Sequence, residues 1–460
     1  MPNVLFLGKS DRRIEAWARA HARVVKGDNG HVIFLALYGE NYTQDNFTFV
    51  NCCTLPQQHP LTELQELVPA SINRAIACDR SLTDYTYSTS YGSYSNYRSE
   101  QIEQLVGVVG NALLHFMPQI DYCVDGLADN FVTPLAFQIA HRCKVKFYMV
   151  RLWHYWDQGF HLVDSPGYVS KVVDDYYRRY YPRLSQSVYP RVREDFERAR
   201  FSIGAFQREN WQLRLQIVRD KFFSYERPSA WHFLQRRHKR LVGRFGVRGL
   251  RFVTPEQRPQ QYIVFALHVM PEASILGTDP DIADQFSLIR RMSLNVPLGV
   301  KILCKAHPGE RFGRDIDIEF LRRICSLHNV SLVHESERID SFLNDSRCVA
   351  VATINGSVAL EAVIKEKPCF LFGKGIFAIA ECFLKPRDDE QFFEQVMQIV
   401  HGRYSIDKVA LAAIILSLKR AAIPGSGSLK APGSWLDFYS SLLPSIHRFH
   451  KRSPDGKAWS

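Results

Sequence analysis

Several signatures that place a protein in a common class are missing from this chain of 460 residues. No CxxC occurs among its ten cysteines, which argues against a zinc ribbon. No GxGxxG follows the first predicted strand, so a dinucleotide-binding site of that kind has no support. The longest helical-looking apolar run, 409–418, is about half as long as a membrane-spanning helix must be. We expect it to form a core helix, and any membrane contact to be peripheral.

A secretory leader and a disulfide framework are not indicated either. The apolar run near the amino terminus is too short for a signal peptide, and its charges follow it instead of preceding it. The cysteines are scattered, and several lie in apolar stretches, as Cys304 and Cys369 do. We therefore expect buried thiols in a reducing compartment, which predicts a cytoplasmic protein.

The composition describes a globular protein with an excess of positive charge. Apolar residues make up 46% of the chain and aromatic residues 12%, and the length suits two domains. The net charge of +11 favours an anionic partner, such as nucleic acid, an acidic membrane surface or a phosphorylated or acidic substrate. Charge that serves solubility alone is the alternative.

The order of predicted elements indicates an α/β protein with two Rossmann-like domains facing a cleft. Strands alternate with helices in the first third of the chain and again after residue 261, as in doubly wound parallel sheets. The middle, about 167–250, is aromatic, arginine-rich and helical in period, and the turn-rich 253–261 is predicted to be a linker. The predicted divisions are an N-terminal domain at 1–252 that includes the basic middle segment, a C-terminal domain at 262–430, and a helix with a tail at 431–460.

Two apolar runs in the C-terminal half stop at a histidine that a proline soon follows. They are YIVFALHVMPEAS, with His268, and VKILCKAHPGERFG, with His307. A buried strand that ends in a polar group before a chain reversal builds a ligand crevice at the carboxyl ends of a parallel sheet. Lys305 shares a strand face with His307, and a neutral imidazole can donate a hydrogen bond to a phosphate or ribose oxygen. A structural histidine is the alternative.

A third segment combines a buried strand, a tight turn and a helix. Asn355, Gly356 and Ser357 form the predicted turn, Ser357 is a natural N-cap, and Glu361 lies four residues further on. Helix N–H groups and the helix dipole could bind a phosphate here, and Gly356 would let it approach the backbone. An ordinary strand-to-helix turn with a cap is the alternative.

Together, HVMPEAS, KAHPGE, ATINGSVALEA and KPCFLFG resemble the bacterial capsule polysaccharide synthesis family, over about 260–375. That family includes the retaining β-Kdo (3-deoxy-D-manno-octulosonic acid) transferases of capsule and O-antigen assembly. The resemblance implies a GT-B-like fold with helical insertions, and transfer of Kdo from CMP-β-Kdo to a bacterial surface polysaccharide with retention of configuration. A transferase for another CMP-activated acidic sugar is one alternative, and a non-catalytic glycan-binding or export-associated relative is another.

The resemblance also implies the partners and the residues of the site. The expected partners are a CMP-sugar donor and a glycan acceptor, lipid-linked and at the inner face of the cytoplasmic membrane. The nucleotide is expected to contact His307 and Pro308, and its phosphate Asn355, Gly356 and Ser357, while His268 and Glu272 line the same cleft as catalytic candidates. Lys305 and Glu361 are assigned to the nucleotide and phosphate site from their positions beside His307 and Ser357 in the sequence.

No cofactor or metal is expected. The sequences DPD at 279–281 and DID at 315–317 match the DxD metal motif of another transferase fold, but they fall at predicted helix starts. They are interpreted as caps and solvent carboxylates. Helix-end N–H groups with a histidine or lysine could neutralise the single phosphate of CMP without a metal.

The N-terminal half is expected to supply the acceptor side and the catalytic carboxylates. Asp125 ends a predicted strand and precedes a glycine. The resemblance to CMP-sugar transferases implies a catalytic base at this position, and a helix cap is the alternative. Asp157 is the first choice for a nucleophile because its aromatic surroundings could exclude water. Arg151 is the candidate for the sugar carboxylate, since its guanidinium binds carboxylates through two hydrogen bonds. The other acidic candidates considered are Asp164 and Glu226.

The basic segment 236–251 has three interpretations. It lacks a recognisable nucleic-acid-binding motif, so no nucleic-acid partner is predicted. Arginines interleaved with Phe and Leu fit anionic lipid headgroups or an anionic glycan better. A solvated helix face is the alternative.

Overall fold

The structure is a computed structural model, and its description covers most of the chain. The described residues are 3–9, 12–37, 39–56, 58–68, 72–77, 99–125, 131–152, 160–163, 169–199, 230–268, 282, 284–307, 311–312 and 316–422.

The first half of the chain builds a seven-stranded sheet. Its strands are β1 (Asn3–Lys9), β2 (His31–Ala36), β3 (Tyr42–Gln44), β4 (Phe47–Asn51), β5 (Tyr122–Asp125), β6 (Lys146–Leu152) and β7 (Phe160–Val163). They lie in the order β3-β4-β2-β1-β5-β6-β7. Neighbours pair in parallel except at the two edges, where β3 and β7 are antiparallel. β1 lies between β2 and β5, and its alternate side chains pack into two apolar clusters, Leu5 and Leu7 into one and Val4 and Phe6 into the other. Both faces of β1 are therefore covered, as in central strands of parallel sheets.

Helices connect and cover these strands and continue beyond them. They are α1 (Arg12–Lys26), α2 (Leu61–Leu67), α3 (Ile72–Ala77), α4 (Ser99–Phe116), α5 (Val132–Arg142), α6 (Lys171–Tyr180), α7 (Tyr189–Ala199) and α8 (Ala230–Gly246). The last three form the helical middle that the aromatic, arginine-rich composition predicts.

The second half builds a six-stranded sheet that is parallel at every pairing described. Its strands are β8 (Phe252–Val253), β9 (Gln261–Ala266), β10 (Val300–Lys305), β11 (Val330–Val333), β12 (Cys348–Thr353) and β13 (Cys369–Leu371). Their order is β13-β12-β9-β10-β11-β8. The two parallel-rich sheets confirm the predicted α/β class with two Rossmann-like domains. β8 pairs with β11, so this sheet already begins at Phe252, beside the segment predicted to be a linker.

The second sheet has its own set of helices. They are α9 (Gln285–Asn295), α10 (Ile318–Cys325), α11 (Asp340–Leu343), α12 (Val358–Ile364), α13 (Asp389–Val400) and α14 (Lys408–Ala421). Aspartate side chains accept backbone hydrogen bonds at the starts of four of them, namely α9, α10, α13 and α14. The aspartate that caps α10 is Asp317, so the interpretation of this member of the 315–317 motif as a cap is confirmed.

Helix α14 joins the two halves. Its residues from Ala410 to Ile415 are buried, as predicted for the apolar run, and it packs against α6 and α7. The hydroxyl of Tyr181 donates to Asp407 at 2.6 Å, and Lys419 Nζ lies 2.6 Å from Asp195. The contact between halves is therefore an apolar core with a hydrogen bond and an ion pair at its rim.

No helix in the described part of the chain is long and apolar enough to cross a membrane. The described cysteines are free thiols, and most of them are buried, as expected. The buried ones are Cys52, Cys123, Cys304, Cys348, Cys369 and Cys382.

Candidate active site

The polar residues singled out in the C-terminal half lie at the carboxyl ends of neighbouring strands. β9 is flanked by β12 on one side and β10 on the other. Ala266 pairs with Lys305, and the N–H of Leu267 donates to the Lys305 carbonyl at 2.8 Å. His268 and His307 each follow this pair by two residues. The two histidines therefore end adjacent strands at one edge of the sheet, where open α/β folds bind ligands.

His268 is buried, with 7% of its surface exposed, and its ring binds the end of β12. Its Nε2 lies 2.9 Å from the hydroxyl oxygen of Thr353 and accepts from the N–H groups of Ile354 at 3.3 Å and Asn355 at 3.4 Å. A ring nitrogen that accepts from backbone N–H groups carries no proton of its own. His268 thus holds the turn after β12 in place through its side chain.

Gln285, the first residue of α9, holds the backbone of the same histidine. The His268 N–H donates to Gln285 Oε1 at 2.8 Å, and Gln285 Nε2 donates to the His268 carbonyl at 3.1 Å. Gln285 is 1% exposed, so water cannot bind these backbone groups. Its amide supplies the hydrogen bonds that a neighbouring strand would otherwise make to the His268 backbone. The imidazole is consequently oriented from two sides.

The turn itself is tightly packed around Gly356. Its N–H donates to the Thr353 hydroxyl at 3.3 Å. A Cβ at this position would lie 3.0 Å from Thr353 Oγ1 and 3.3 Å from His268 Cε1. The missing side chain therefore lets the backbone approach Thr353 and His268 closely.

This packing changes the interpretation of the predicted phosphate site. The N–H groups of Asn355 and Gly356 already donate hydrogen bonds, to the His268 ring and the Thr353 hydroxyl respectively. Ser357 occupies the N-cap position of α12, as predicted, but its side chain makes no capping hydrogen bond. It is instead exposed, and Glu361 lies in the first turn of the helix. A phosphate bound here would be held by side chains more than by the first N–H groups of α12.

The segment after β13 closes over the same turn. The Gly373 N–H donates to the Ile354 carbonyl at 2.8 Å. A Cβ at Gly375 would lie 2.3 Å from Asn355 Oδ1, so only glycine allows this approach. Lys374, between these two buried glycines, is exposed. The turn after β12 therefore has a cationic residue immediately beside it.

Lys305 and His307 lie at the end of β10. Lys305 is 4% exposed, and its Nζ donates to the Ala306 carbonyl at 3.0 Å. Burial lowers the pKa of Lys305, and the negative charges of Glu337 and Glu335 act in the opposite direction. Lys305 is thus enclosed, while His307 is half-buried at the rim.

In the first sheet, Asp125 ends β5 with its side chain fully buried. The Thr133 hydroxyl donates to Asp125 Oδ2 at 2.5 Å. Phe131 occupies the N-cap position of α5, so Asp125 is not the cap residue of that helix. Asp125 pairs with Met149 on β6, and Arg151 follows two residues later. Asp125 and Arg151 thus share the carboxyl edge of the first sheet.

Several predicted site residues lie outside the described residues. They are Asp157, Asp164, Glu226, Glu272 and Pro308, together with the side chain of Arg151. Asp279, Asp281 and Asp315 of the two DxD matches are also outside them. Among the residues that are described, no three His, Cys, Asp or Glu side chains are grouped so that they could hold a metal ion.

Sequence reasoning missed Thr353, Gln285 and Lys374. Thr353 is the last residue of a predicted strand, a position where a polar side chain among apolar ones is a signal. Lys374 stands in a Gly-Lys-Gly after the last strand, which is typical of close backbone approach. Gln285 has no such signal, because its role depends on where α9 meets β9.

Comparison with known proteins supports the resemblance on which the site assignment depends. Residues 209–382 match the family model described as "Capsule polysaccharide biosynthesis protein". The segment contains His268, His307, the turn after β12 and the end of β13. The predicted resemblance to the capsule polysaccharide synthesis family is thereby confirmed over these residues. No curated protein matches the chain.

Solved structures with similarity to the chain include two transferase domains and a protein crystallised with UDP. The β-Kdo 2,4 transferase of Thermosulfurimonas dismutans KpsC is 14% identical, with 64% of this chain and 79% of that chain covered and a TM-score of 0.33. The β-Kdo 2,7 transferase of the same KpsC is 14% identical, covering 70% and 81%, with a TM-score of 0.32. Anabaena Alr3699/HepE in complex with UDP is 11% identical, covering 98% and 100%, with a TM-score of 0.29. Likeness at this level assigns neither a donor nor an acceptor to the chain.

Proposed function

We propose that the protein is a glycosyltransferase of bacterial surface polysaccharide synthesis that moves Kdo from CMP-β-Kdo to a glycan acceptor. The observation that carries the proposal is the polar edge of the second sheet, which lies within the segment that matches the capsule family. His307, His268, Ser357 and Lys374 follow four neighbouring strands there. Hydrogen-bond donors and a cation gathered at one strand edge suit a nucleotide with a single phosphate.

The residues of this edge divide into two roles. Ser357 and Lys374 are exposed and His307 is half-buried, so these three can touch a ligand. They would bind the CMP phosphate, and the positive charge of Lys374 would stabilise it as it leaves. His268 and Lys305 are buried and support them. His268 orients the turn after β12, and Lys305 donates to the carbonyl of Ala306, the residue before His307.

The proposed acceptor is a growing O-antigen or capsule glycan, lipid-linked and presented at the inner face of the cytoplasmic membrane. The carboxyl edge of the first sheet would bind this acceptor. Asp125 and Asp157 would supply the catalytic carboxylates there, and Arg151 would bind the carboxylate of the transferred Kdo. Retention of configuration would require either two inversions or attack from one shielded face.

The donor class can be tested by thermal unfolding in the presence of CMP, UDP, GDP or ADP. We expect CMP to raise the melting temperature selectively, because a ligand at about 100 times its Kd stabilises the native state by about 2.7 kcal/mol. His307→Ala should weaken CMP binding by roughly ten- to a hundredfold, the loss of about 1.5–3 kcal/mol for a hydrogen bond to a charged group.

His328→Ala is the matched control. This histidine is exposed and precedes β11, so it lies at the amino ends of the same parallel strands, away from the proposed site. The control should bind CMP as the wild type does. Selective stabilisation by UDP, or CMP affinity that His307→Ala leaves unchanged in a folded protein, would contradict the assignment. CMP binding without transfer of Kdo or sialic acid to any glycan would favour the non-catalytic alternative.

Metal independence is a further expectation of the proposal. Lys374 and the hydrogen-bond donors at the strand ends would compensate the phosphate charge, so transfer should proceed at an unchanged rate in excess EDTA. Initial rates with and without chelator, followed by addition of Mg²⁺ or Mn²⁺, measure this directly. Activity lost to EDTA and restored by a metal would show that charge compensation by side chains is the wrong explanation.

A further inference from the structure

Helix α8 packs on α10 of the second domain through the face that carries Gly243 and Gly246. Gly243 is buried, and Gly246 is so close to α10 that a Cβ there would lie 2.6 Å from Ile318 Cγ1. Side chains in an α-helix advance by about 100° per residue. The face opposite Gly243 is therefore turned away from the domain.

Large apolar side chains occupy that outer face. Leu234, Leu241 and Phe245 lie within about 20° of the direction opposite Gly243. Their exposed fractions are 56%, 49% and 66%. We call these three residues the apolar ridge. Single exposed apolar residues are ordinary, but a row at helical spacing that faces outward marks an interaction surface.

Arginines border the apolar ridge along one side. Arg237 and Arg244 lie at about 120° and 100° from Gly243, and both are exposed. Arg248, in the turn that follows, places its guanidinium carbon 5.6 Å from the centre of the Phe245 ring. The helix contains no Asp or Glu. Positive charge therefore runs beside the apolar ridge without an acidic residue in α8 to neutralise it.

This combination distinguishes among the interpretations of the basic segment. A helix face that only contacts solvent would be polar and would not expose two leucines and a phenylalanine. A nucleic acid would bind the arginines through its phosphates and leave the apolar ridge exposed to water. An interfacial helix needs both features: apolar side chains that enter the boundary between headgroups and acyl chains, and arginines that bind lipid phosphates.

We infer that α8 is a docking surface for an anionic lipid bilayer, with the apolar ridge inserted at the headgroup boundary and Arg237, Arg244 and Arg248 among the phosphates. The inference stands on the exposure and charge of α8 and does not depend on the identity of the sugar donor. It gives the protein a peripheral attachment on the second domain.

The test is co-sedimentation of the full-length protein with vesicles of phosphatidylcholine alone or with added phosphatidylglycerol. We expect binding to the anionic vesicles that decreases with salt. Replacing the three arginines by Gln should weaken it about a hundredfold, from a factor of about five for each basic group near the surface. Replacing the apolar ridge by Ser should weaken it by a similar factor while leaving the net charge unchanged.

The matched control replaces Leu294 and Leu298 by Ser, because they are exposed apolar residues outside α8, 66% and 100% exposed. This variant should bind as the wild type does, and all variants should keep the wild-type melting temperature. Equal vesicle binding by the ridge variant, or an equal loss in the control, would overturn the inference. So would a ridge variant that instead converts a dimer to a monomer, since the occupant would then be a second copy. Stabilisation by CMP, measured on the same variants, reports on the donor site separately.

Discussion

His268→Ala is expected to abolish most of the proposed Kdo transfer and to lower the stability of the second domain. The substitution removes the acceptor of two backbone N–H groups and the partner of the Thr353 hydroxyl, all in a buried turn. Each buried donor left without an acceptor costs about 1–3 kcal/mol. Because the turn carries Ser357 and contacts the segment with Lys374, loosening it should displace the groups proposed to bind the phosphate.

The comparison with His268→Gln separates positioning from acid–base chemistry. A glutamine Oε1 can accept hydrogen bonds where Nε2 does, but it cannot exchange a proton near neutral pH. If His268 is a positioning residue, His268→Gln should recover much of the CMP affinity, the melting temperature and the transfer rate that His268→Ala loses. Thr353→Val, which removes only the hydroxyl, should give an intermediate loss. A glutamine variant with normal stability and CMP affinity but no transfer would assign His268 a chemical role instead.

The existence of this edge could be predicted from the sequence because strand ends are local features. An apolar run that stops at a polar residue before a proline or glycine marks the end of a buried strand, and parallel strands gather such ends at one side. This reasoning places His268, His307 and Asn355 at the ends of neighbouring strands, as in the structure.

The contacts across the edge could not be predicted in the same way. Gln285 lies 17 residues beyond His268, and its role depends on the angle at which α9 meets the sheet. The N–H groups of Asn355 and Gly356 are engaged by His268 and Thr353, an arrangement that depends on the register between β9 and β12. The helical period of α8 can be predicted from the sequence. Which face of α8 is buried cannot, because it depends on the contact between α8 and α10.

The structure also bears on the choice of nucleophile. In the proposed transfer with retention, a nucleophilic carboxylate would have to reach the anomeric carbon on the side opposite the departing phosphate. Asp125 is fully buried and accepts a hydrogen bond from Thr133, so it is better placed to position neighbouring groups than to attack a substrate. Asp157, outside the described residues, follows the strand that carries Arg151 and remains the first candidate. In that mechanism a carboxylate oxygen bonds to the anomeric carbon as the bond to the CMP phosphate breaks. The acceptor hydroxyl then loses its proton and displaces the carboxylate.

Asp157→Asn is therefore expected to reduce transfer by at least about a thousandfold while leaving CMP stabilisation unchanged, because the amide is a far weaker nucleophile. Wild-type protein incubated with CMP-Kdo and no acceptor should gain the mass of one Kdo residue, and the variant should not. Asp125→Asn should also slow transfer, since it weakens a buried hydrogen bond, but it should still form the adduct. Thr133→Val is its control, for it removes the same hydrogen bond and keeps the carboxylate. Near-normal transfer by both aspartate variants would show that the attacking group comes from another part of the chain. An adduct on Asp157→Asn that Asp125→Asn lacks would exchange the two roles.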